Sequence, residues 1–262
     1  MPSSKGGPGG FLRRLGYRLF FLLACLVGGL SFVGFALVAL LHYALFRNGE
    51  KAALVWIRSF GFAMTRFLGW KVDVEGRATM LETRPAVVVG NHQSNLDIAT
   101  WATFFPDRSV AVGKKEILKI PVFGWLWKVS KHILIDRSNA AAARESLRAA
   151  AERIRNESLS VWVLPEGHRN TKPEMLPFKK GAFHLAIAAQ VPVLPFATSP
   201  MWEVLDAHRW MVRPGTVRVR FLAPIPTTGM SEDDVDRLSQ AARDAIEGAR
   251  QGFRTTAGPR IG

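Results

Sequence analysis

An uncharged apolar run near the amino terminus is the feature that most restricts how this chain can fold. From Leu19 to Phe46 the sequence contains no Asp, Glu, Lys or Arg. The run exceeds the roughly 20 residues that a helix needs to cross a bilayer core. It also exceeds the roughly 7–15 apolar residues of a cleaved signal peptide. We therefore predict that residues 1–70 form an N-terminal membrane anchor, which stays on the protein, followed by an interfacial helix.

The charges beside this run leave its topology open. Basic residues occur on both sides of it: Lys5, Arg13, Arg14 and Arg18 before, and Arg47, Lys51, Arg58, Arg66 and Lys71 after. Basic flanks favour the cytoplasmic side of a membrane. The run is therefore either a single spanning helix, which places one basic flank on the far side, or a shallow hairpin broken at Gly28, Gly29 and Gly34, which keeps both flanks on the cytoplasmic side. Residues 51–70 mix apolar and basic side chains, which is typical of a helix in the membrane interface; a helix docked on the core is the alternative.

The overall charge points to lipid as a partner. The 262 residues include 35 Lys and Arg against 21 Asp and Glu, a formal net charge of +14, yet the mean hydropathy is slightly positive. Basic tails that bind nucleic acid are hydrophilic, and no nucleic-acid-binding motif is present, so we expect anionic lipid and no nucleic acid. The single cysteine excludes an internal disulfide framework and a Cys-based zinc site. No His, Asp or Glu cluster has metal-ligand spacing, and we expect neither metal nor cofactor.

Short apolar segments alternate with helical ones after Lys71. The predicted strands are residues 71–74, 86–90, 109–112, 132–135, 160–164, 191–196 and 216–221. Several are continuous apolar runs, as expected of strands covered on both faces. The predicted helices are residues 139–155, 180–189 and 231–250, the last with Ser231 as N-cap. The pattern predicts an α/β fold with a mostly parallel sheet flanked by helices over residues 71–250, and a loose tail over 251–262.

The sharpest motif lies directly after the predicted strand that ends at Gly90. In a regular helix, residues five apart lie roughly 140° from each other, but a turn between strand and helix can bring His92 and Asp97 together. The carboxylate would then bind one imidazole nitrogen and leave the other free to act as a base on a hydroxyl group. Open α/β sheets place their sites at such strand ends. A capping role for His92 is the alternative.

Three further segments carry possible chemistry. After the strand at 160–164, Gly167 allows a tight turn in which Arg169 can bind a phosphate through two hydrogen bonds. Residues 114–125 combine three lysines with apolar residues and Trp125, and can place cations near anionic head groups. Residues 191–196 form an apolar strand bracketed by prolines. Taken alone, each of the three also fits an ordinary loop, surface strip or core strand.

Together these segments resemble a known family, the glycerolipid acyltransferases, and in particular the 1-acylglycerol-3-phosphate O-acyltransferases. The resemblance runs from about Lys71 to Phe196, keeps the order of the family's four blocks, and includes Ile135-Asp136-Arg137 and residues 178–183. One block departs from the pattern. It usually reads Glu-Gly-Thr-Arg-Ser, and here His168 and Asn170 replace the Thr and the Ser.

The resemblance implies transfer of a fatty acyl group from acyl-CoA or acyl-carrier protein to the sn-2 hydroxyl of lysophosphatidic acid, which forms phosphatidic acid. It implies a general base, an orienting carboxylate and a substrate-binding set: His92, Asp97, and then Glu166, Gly167, Arg169, Lys114, Lys115 and Arg137. Direct attack on the thioester needs no covalent intermediate, which agrees with the absence of a Gly-x-Ser-x-Gly elbow. The enzyme would act at the inner membrane, on its cytoplasmic face, where thioester donors occur.

The variant block keeps other functions open. The same chemistry on another lyso-lipid, such as a lyso-ornithine lipid or a lysophospholipid, is one alternative. A lipid esterase or thioesterase, in which water replaces the acceptor, is another. A non-catalytic membrane protein that binds anionic lipid is the third. Acyl-chain preference and oligomeric state have no signal in the sequence.

Overall fold

The computed structural model describes residues 8–120, 122–135, 140–172 and 174–255, and the side chains of 8–10, 114, 140, 141 and 143 lie outside the described part. The helices are α1 Pro8–Phe46, α2 Gly49–Leu68, α3 Arg77–Glu82, α4 Asp97–Ala102, α5 Phe123–Val129, α6 Ala140–Glu157, α7 Gly181–Ala189 and α8 Val235–Thr255. The strands are β1 Trp70–Glu75, β2 Val87–Gly90, β3 Ser109–Lys114, β4 Ile133–Ile135, β5 Ser160–Val163, β6 Val193–Thr198, β7 Leu205–Asp206, β8 Met211–Val212 and β9 Gly215–Phe221. Short 3-10 helices occupy Lys115–Lys119, Met201–Glu203 and Glu232–Asp234.

The main sheet has seven strands in the order β1-β9-β6-β2-β5-β3-β4. The five strands from β6 to β4 are mutually parallel, whereas β9 pairs with β6 in the antiparallel direction and β1 pairs with β9 in parallel. The predicted mostly parallel α/β sheet is confirmed. β7 and β8 form a separate two-stranded hairpin.

Helices cover both faces of this sheet, as the continuous apolar strands predict. Along β2, Val87 and Val89 point into a core shared with α6, α7 and α8, which includes Ile154, Phe183 and Leu238. Val88 points to the other face, where it packs among aromatic residues of α4 and the neighbouring strands. A strand enclosed on both faces carries apolar side chains at every position.

α1 is one uninterrupted helix, so the alternative of a hairpin broken at Gly28, Gly29 and Gly34 is wrong. A glycine costs a helix about 1 kcal/mol relative to alanine, and a long apolar helix that packs on the protein tolerates this. The chain instead reverses after Phe46, where the Asn48 side chain caps α2 by accepting a hydrogen bond from the backbone N–H of Lys51 at 2.9 Å.

α1 and α2 pack against each other in antiparallel directions. The rings of Phe32 and Trp56 lie 4.8 Å apart near the reversal, and those of Phe20 and Phe67 lie 5.6 Å apart at the other end. α2 also packs on α4 and buries seven of its own residues, so it is docked on the protein. Its position in a membrane interface stays a prediction, as does the division of the chain at residue 70.

The two faces of α1 differ sharply. One face carries the buried Ala24, Ala36 and Ala39. The opposite face exposes a row of large apolar side chains, among them Leu19, Leu22, Leu26, Leu30, Leu37, Leu41 and Leu45. Within the described residues, the part of α1 from Phe11 to Phe46 is the one helix long and apolar enough to cross a membrane, by length and composition alone.

The predicted N-cap at Ser231 is confirmed, and the helix behind it is longer than predicted. The Ser231 side chain accepts a hydrogen bond from the N–H of Asp233, and the Asp234 carboxylate accepts one from the N–H of Ser231 at 2.9 Å, which together form a capping box. α8 then continues to Thr255 with Phe253 buried, past the predicted boundary at residue 250. The predicted tail is therefore wrong for residues 251–255, and 256–262 lie outside the described residues.

This capping box gives a stability prediction. Ser231→Ala removes the acceptor for the first turn, and we expect a loss of about 1 kcal/mol of unfolding free energy. Urea denaturation in detergent measures it, with Thr228→Ala as the control, because Thr228 is exposed and makes no side-chain hydrogen bond to a described residue. Equal midpoints for the two variants would contradict the cap.

Candidate active site

The carboxyl ends of the five parallel strands meet at one edge of the sheet. Residues 91–96 follow β2, residues 164–180 follow β5, and Lys115 follows β3. Because neighbouring strands lie about 4.8 Å apart, the loops after the adjacent β2 and β5 are in contact, and the end of β3 lies two strands, about 10 Å, from β2. The fold thus gathers the sequence-predicted segments at one edge.

His92 and Asp97 form a hydrogen-bonded pair in the turn between β2 and α4. His92 Nδ1 lies 2.8 Å from Asp97 Oδ2. The same oxygen accepts hydrogen bonds from the backbone N–H groups of Gln93 at 2.7 Å and Ser94 at 2.9 Å. This carboxylate oxygen acts as the acceptor in all three contacts, so Nδ1 of His92 is a donor and carries the hydrogen. Nε2 of the ring then has its lone pair free. The Asp97 side chain is buried, and the His92 ring is 17% exposed.

Close packing beneath the pair explains why a glycine ends β2. A Cβ at Gly90 would lie 2.2 Å from the ring of Phe196, so no larger residue fits unless that ring moves. The Phe196 ring contacts Trp101 edge-on at 5.4 Å, and Trp101 lies 6.2 Å from the His92 ring. The imidazole therefore lies next to a rigid aromatic stack.

Two buried amides beside His92, which were not among the predicted site residues, fix the turn between β2 and α4 to the end of β6. Asn91 accepts a hydrogen bond from the N–H of Thr198 at 2.8 Å and donates one to the Thr198 carbonyl. Gln93 donates to the carbonyl of Ser199 at 2.9 Å and accepts from the N–H of Met201 at 3.2 Å. Their position beside His92 was the available signal, but their partners lie more than 100 residues away in sequence.

Glu166 connects the turn after β5 to the His92 turn. Its Oε1 accepts a hydrogen bond from the backbone N–H of His92 at 2.9 Å, and its Oε2 accepts one from the N–H of Leu176 at 3.0 Å. The backbone N–H of Asn170 donates to the His92 carbonyl at 2.8 Å. The His92 peptide is thus held from both sides, and the buried Glu166 carboxylate orders the site.

The two residues that depart from the family pattern have different surroundings. Asn170 is buried, and its side chain donates to Glu166 Oε2 and to the Glu174 carbonyl, so it belongs to the interior of the turn. His168 is exposed on the surface of the same turn. Of the two, only His168 is accessible from the solvent.

Arg169 presents its guanidinium to solvent beside this turn. It is exposed and forms no hydrogen bond or ion pair with any residue that the structure describes. Gly167 makes the turn possible, because its φ of +71° is in the left-handed region and because a Cβ there would lie 2.8 Å from Cε of Lys179. Lys179 therefore lies across the turn as a second exposed cation, which the sequence analysis did not assign to the site.

The remaining predicted cations are only partly placed. Lys115 is exposed at the start of the 3-10 helix that follows β3. The backbone of Lys114 ends β3, while its side chain lies outside the described part. Arg137 lies outside the described residues altogether.

A large, mostly apolar cavity of about 650 Å³ extends from the reversal between α1 and α2 to the aromatic stack beneath His92. Its wall includes Trp101, Phe196, Trp162, Leu126, Val110 and His132. Burial, and then the positive charge of Arg153, lower the pKa of His132 to about 4. The ring is therefore neutral at physiological pH and leaves the cavity without a charge from this residue.

No three His, Cys, Asp or Glu side chains in the described part of the chain lie together as a metal ion would require. A reaction without metal stays a prediction.

Glu166→Gln tests the ordering role of this carboxylate. The new amide N–H₂ would face the donors at Leu176 and Asn170, and breaking buried hydrogen bonds to a charged group costs about 1.5–3 kcal/mol. We expect a lower unfolding midpoint and a lower kcat for acyl transfer, measured by thermal unfolding in detergent and by initial rates. Glu174→Gln is the matched control, because its side chain is exposed in the same loop. Wild-type stability and rate in Glu166→Gln would overturn this role.

Comparison with known proteins agrees with this geometry. Residues 71–199 match the family described as Acyltransferase. The chain is 34% identical over 230 residues to a 1-acyl-sn-glycerol-3-phosphate acyltransferase of Haemophilus influenzae, a match that covers 88% of this chain and 92% of that protein. It is also 34% identical over 213 residues to the human 1-acyl-sn-glycerol-3-phosphate acyltransferase beta, with 80% and 75% of the two chains covered.

The fold is similar to a solved structure as well. The crystal structure of the 1-acyl-sn-glycerophosphate (LPA) acyltransferase PlsC from Thermotoga maritima superposes with a TM-score of 0.74 at 27% sequence identity. The superposition covers 95% of this chain and 99% of that one, so the likeness includes the N-terminal helices.

Proposed function

Because the chain belongs to the acyltransferase family, we propose that it transfers a fatty acyl group from acyl-CoA or acyl-carrier protein to the sn-2 hydroxyl of 1-acylglycerol-3-phosphate, which forms phosphatidic acid. The main support for the proposal is the His92–Asp97 pair, whose Nε2 lies at the same sheet edge as Arg169, an exposed arginine that pairs with no residue in the described part of the chain. A base and an anion-binding group side by side suit an acceptor that has both a hydroxyl and a phosphate.

His92 Nε2 takes the proton of the acceptor hydroxyl as its oxygen attacks the thioester carbonyl. A C–O bond forms, the C–S bond of the tetrahedral intermediate breaks, and the imidazolium returns the proton to the leaving thiolate. Asp97 holds the ring in the required tautomer and stabilises its charged form. Glu166 acts by ordering the turn, since both of its oxygens are occupied by backbone donors.

Cations around the turn bind the phosphate in this proposal. Arg169 offers a planar, bidentate donor set, and Lys179 offers a second positive charge across Gly167. Lys114, Lys115 and Arg137 complete the set that the family resemblance implies. The exposed His168 lies next to Arg169 in the sequence and is the residue most able to alter the choice of acceptor.

The apolar cavity fits an acyl chain. Its wall is mostly apolar and includes Trp101, whose ring centroid lies 6.2 Å from that of His92, so a chain lying in it would have one end near the base. The neutral His132 keeps the wall compatible with such a ligand.

The exposed face of α1 supports attachment to a membrane. Its row of leucines is continuous and large, and such a surface on a water-exposed helix would be costly. Because lysophosphatidate stays in the bilayer and thioester donors are cytoplasmic, we place the site on the cytoplasmic face of the inner membrane.

Acylation assays with purified protein test the proposal. The protein, reconstituted in phosphatidylcholine vesicles, is given 1-acylglycerol-3-phosphate with acyl-CoA or with acyl-carrier protein, and the products are identified by mass spectrometry. We expect phosphatidic acid with at least one donor. Free fatty acid formed at the same rate without acceptor would favour a hydrolase instead, and no turnover of either donor would favour a non-catalytic lipid-binding protein.

A further inference from the structure

The hairpin of β7 and β8 holds an exposed tryptophan beside α1. Trp210 is 55% exposed at its tip. The tip is ordered by hydrogen bonds from the N–H of Trp210 to the Ala207 carbonyl at 3.3 Å and from the N–H of Arg209 to Asp206 at 3.1 Å. A large apolar side chain is thus kept at the surface by a defined turn.

The Trp210 ring lies at the point where α1 changes from charged to apolar. It stacks on Phe21 with ring centroids 6.4 Å apart. Phe21 lies three positions after Arg18, which is the last charged residue before the uncharged run that begins at Leu19. Phe21 is partly buried in the same cluster as Ala24, whereas Leu19 and Leu22 expose their side chains, so the indole lies at the side of α1, next to its exposed leucine row.

We propose that the hairpin tip, residues 207–210, is a second membrane contact and inserts at the head-group level of the phospholipid bilayer. Tryptophan is enriched at this level because one part of its ring is apolar and the N–H is polar. Arg209, whose side chain is 63% exposed, stands beside it and can pair with anionic head groups. The proposal rests on the membrane attachment of α1 proposed above.

This contact would fix the height of the active site above the lipid. The hairpin directly follows Met201–Glu203, and the N–H of Met201 donates to Gln93 in the His92 turn. Gln93 also binds the Ser199 carbonyl. A tip held at the head groups therefore holds the His92 turn through a short, buried connection.

The single cysteine of the chain makes a direct test possible. Cys25 is exposed on α1, and in the full-length protein it takes a unique fluorescent NBD label. In a Cys25→Ser background, His208→Cys places the label on the hairpin tip and keeps Trp210, while Glu232→Cys places it on the exposed turn before α8. Each protein is reconstituted in vesicles of phosphatidylcholine and phosphatidylglycerol that carry nitroxide quenchers either on the head group or on the acyl chain.

We expect the label at 208 to be quenched by head-group nitroxide, the label at 25 by acyl-chain nitroxide, and the label at 232 by neither. Adding Trp210→Ala to His208→Cys should abolish the head-group quenching at 208. Quenching at 25 but none at 208 would overturn the hairpin contact and leave the attachment of α1 intact. Quenching at neither position would overturn both, and a spectral shift at 208 that follows protein concentration rather than lipid would point to a second copy of the chain instead.

Discussion

His92→Ala should lower kcat for acyl transfer at least about a hundredfold while the protein stays folded and bound to vesicles. Nε2 is the nitrogen of the His92 ring that is left free to take a proton, because Nδ1 is bound to Asp97 Oδ2 at 2.8 Å and the Asp97 side chain is buried. A positioned base contributes roughly 10²- to 10⁴-fold to a rate, so we expect a loss of that size in kcat. Initial rates of phosphatidic acid formation measure it.

Asp97→Asn extends this test to the orientation of the ring. Asp97 Oδ2 accepts three hydrogen bonds. In the Asp97→Asn variant only the amide oxygen can accept them, and the N–H₂ group must then occupy the position of Oδ1. We expect a loss of kcat with little change in KM. His184→Gln, on α7, is the control for removing an imidazole elsewhere. A His92→Ala protein with the kcat of the wild type would refute the role of His92 as the base.

Arg169→Ala should raise the apparent KM for lysophosphatidate about 10- to 100-fold, because hydrogen bonds to a charged group are worth about 1.5–3 kcal/mol. Arg169 is exposed and pairs with no described residue, so its loss costs the fold little. kcat should change less than KM. Titration of the acceptor in mixed micelles at saturating donor measures both constants.

The matched control for this prediction is Arg237→Ala. Arg237 is an exposed arginine on α8, and its removal changes the net charge of the protein by the same amount. It should leave KM unchanged. If both variants raised KM equally, general attraction of the substrate to a basic protein would explain the effect, and a specific phosphate contact would be refuted.

The strands and the family could be predicted from the sequence because their signals are local. Residues 86–90 form a continuous apolar run, and this run became the central strand β2, enclosed on both faces. The order of the four blocks predicted the family, which the comparisons confirm. The pairing of His92 with Asp97 was predictable because they are only five positions apart in the sequence and a turn was expected between them.

Structural features formed by residues far apart in the sequence could not be predicted from it. Glu166 contacts the peptide N–H of His92 across 74 residues, and no local pattern indicates a backbone donor as its partner. The continuity of α1 through its glycines depends on packing against α2, which offsets the cost that glycine imposes on a helix. The hairpin of β7 and β8 has strands of two residues each, too short to give an alternating pattern.

A competition assay distinguishes acylation of lysophosphatidate from acylation of other lyso-lipids and from hydrolysis of the donor. The purified protein in vesicles receives one acyl thioester donor and equal amounts of 1-acylglycerol-3-phosphate, a lysophospholipid with a capped phosphate and a lyso-ornithine lipid, and every acylated product and the free fatty acid are quantified together. We expect phosphatidic acid, acylated at sn-2, as the main product, and a rate of its formation at least about a hundredfold lower in His92→Ala. Preferential acylation of another acceptor, or release of free fatty acid in place of phosphatidic acid, would contradict it.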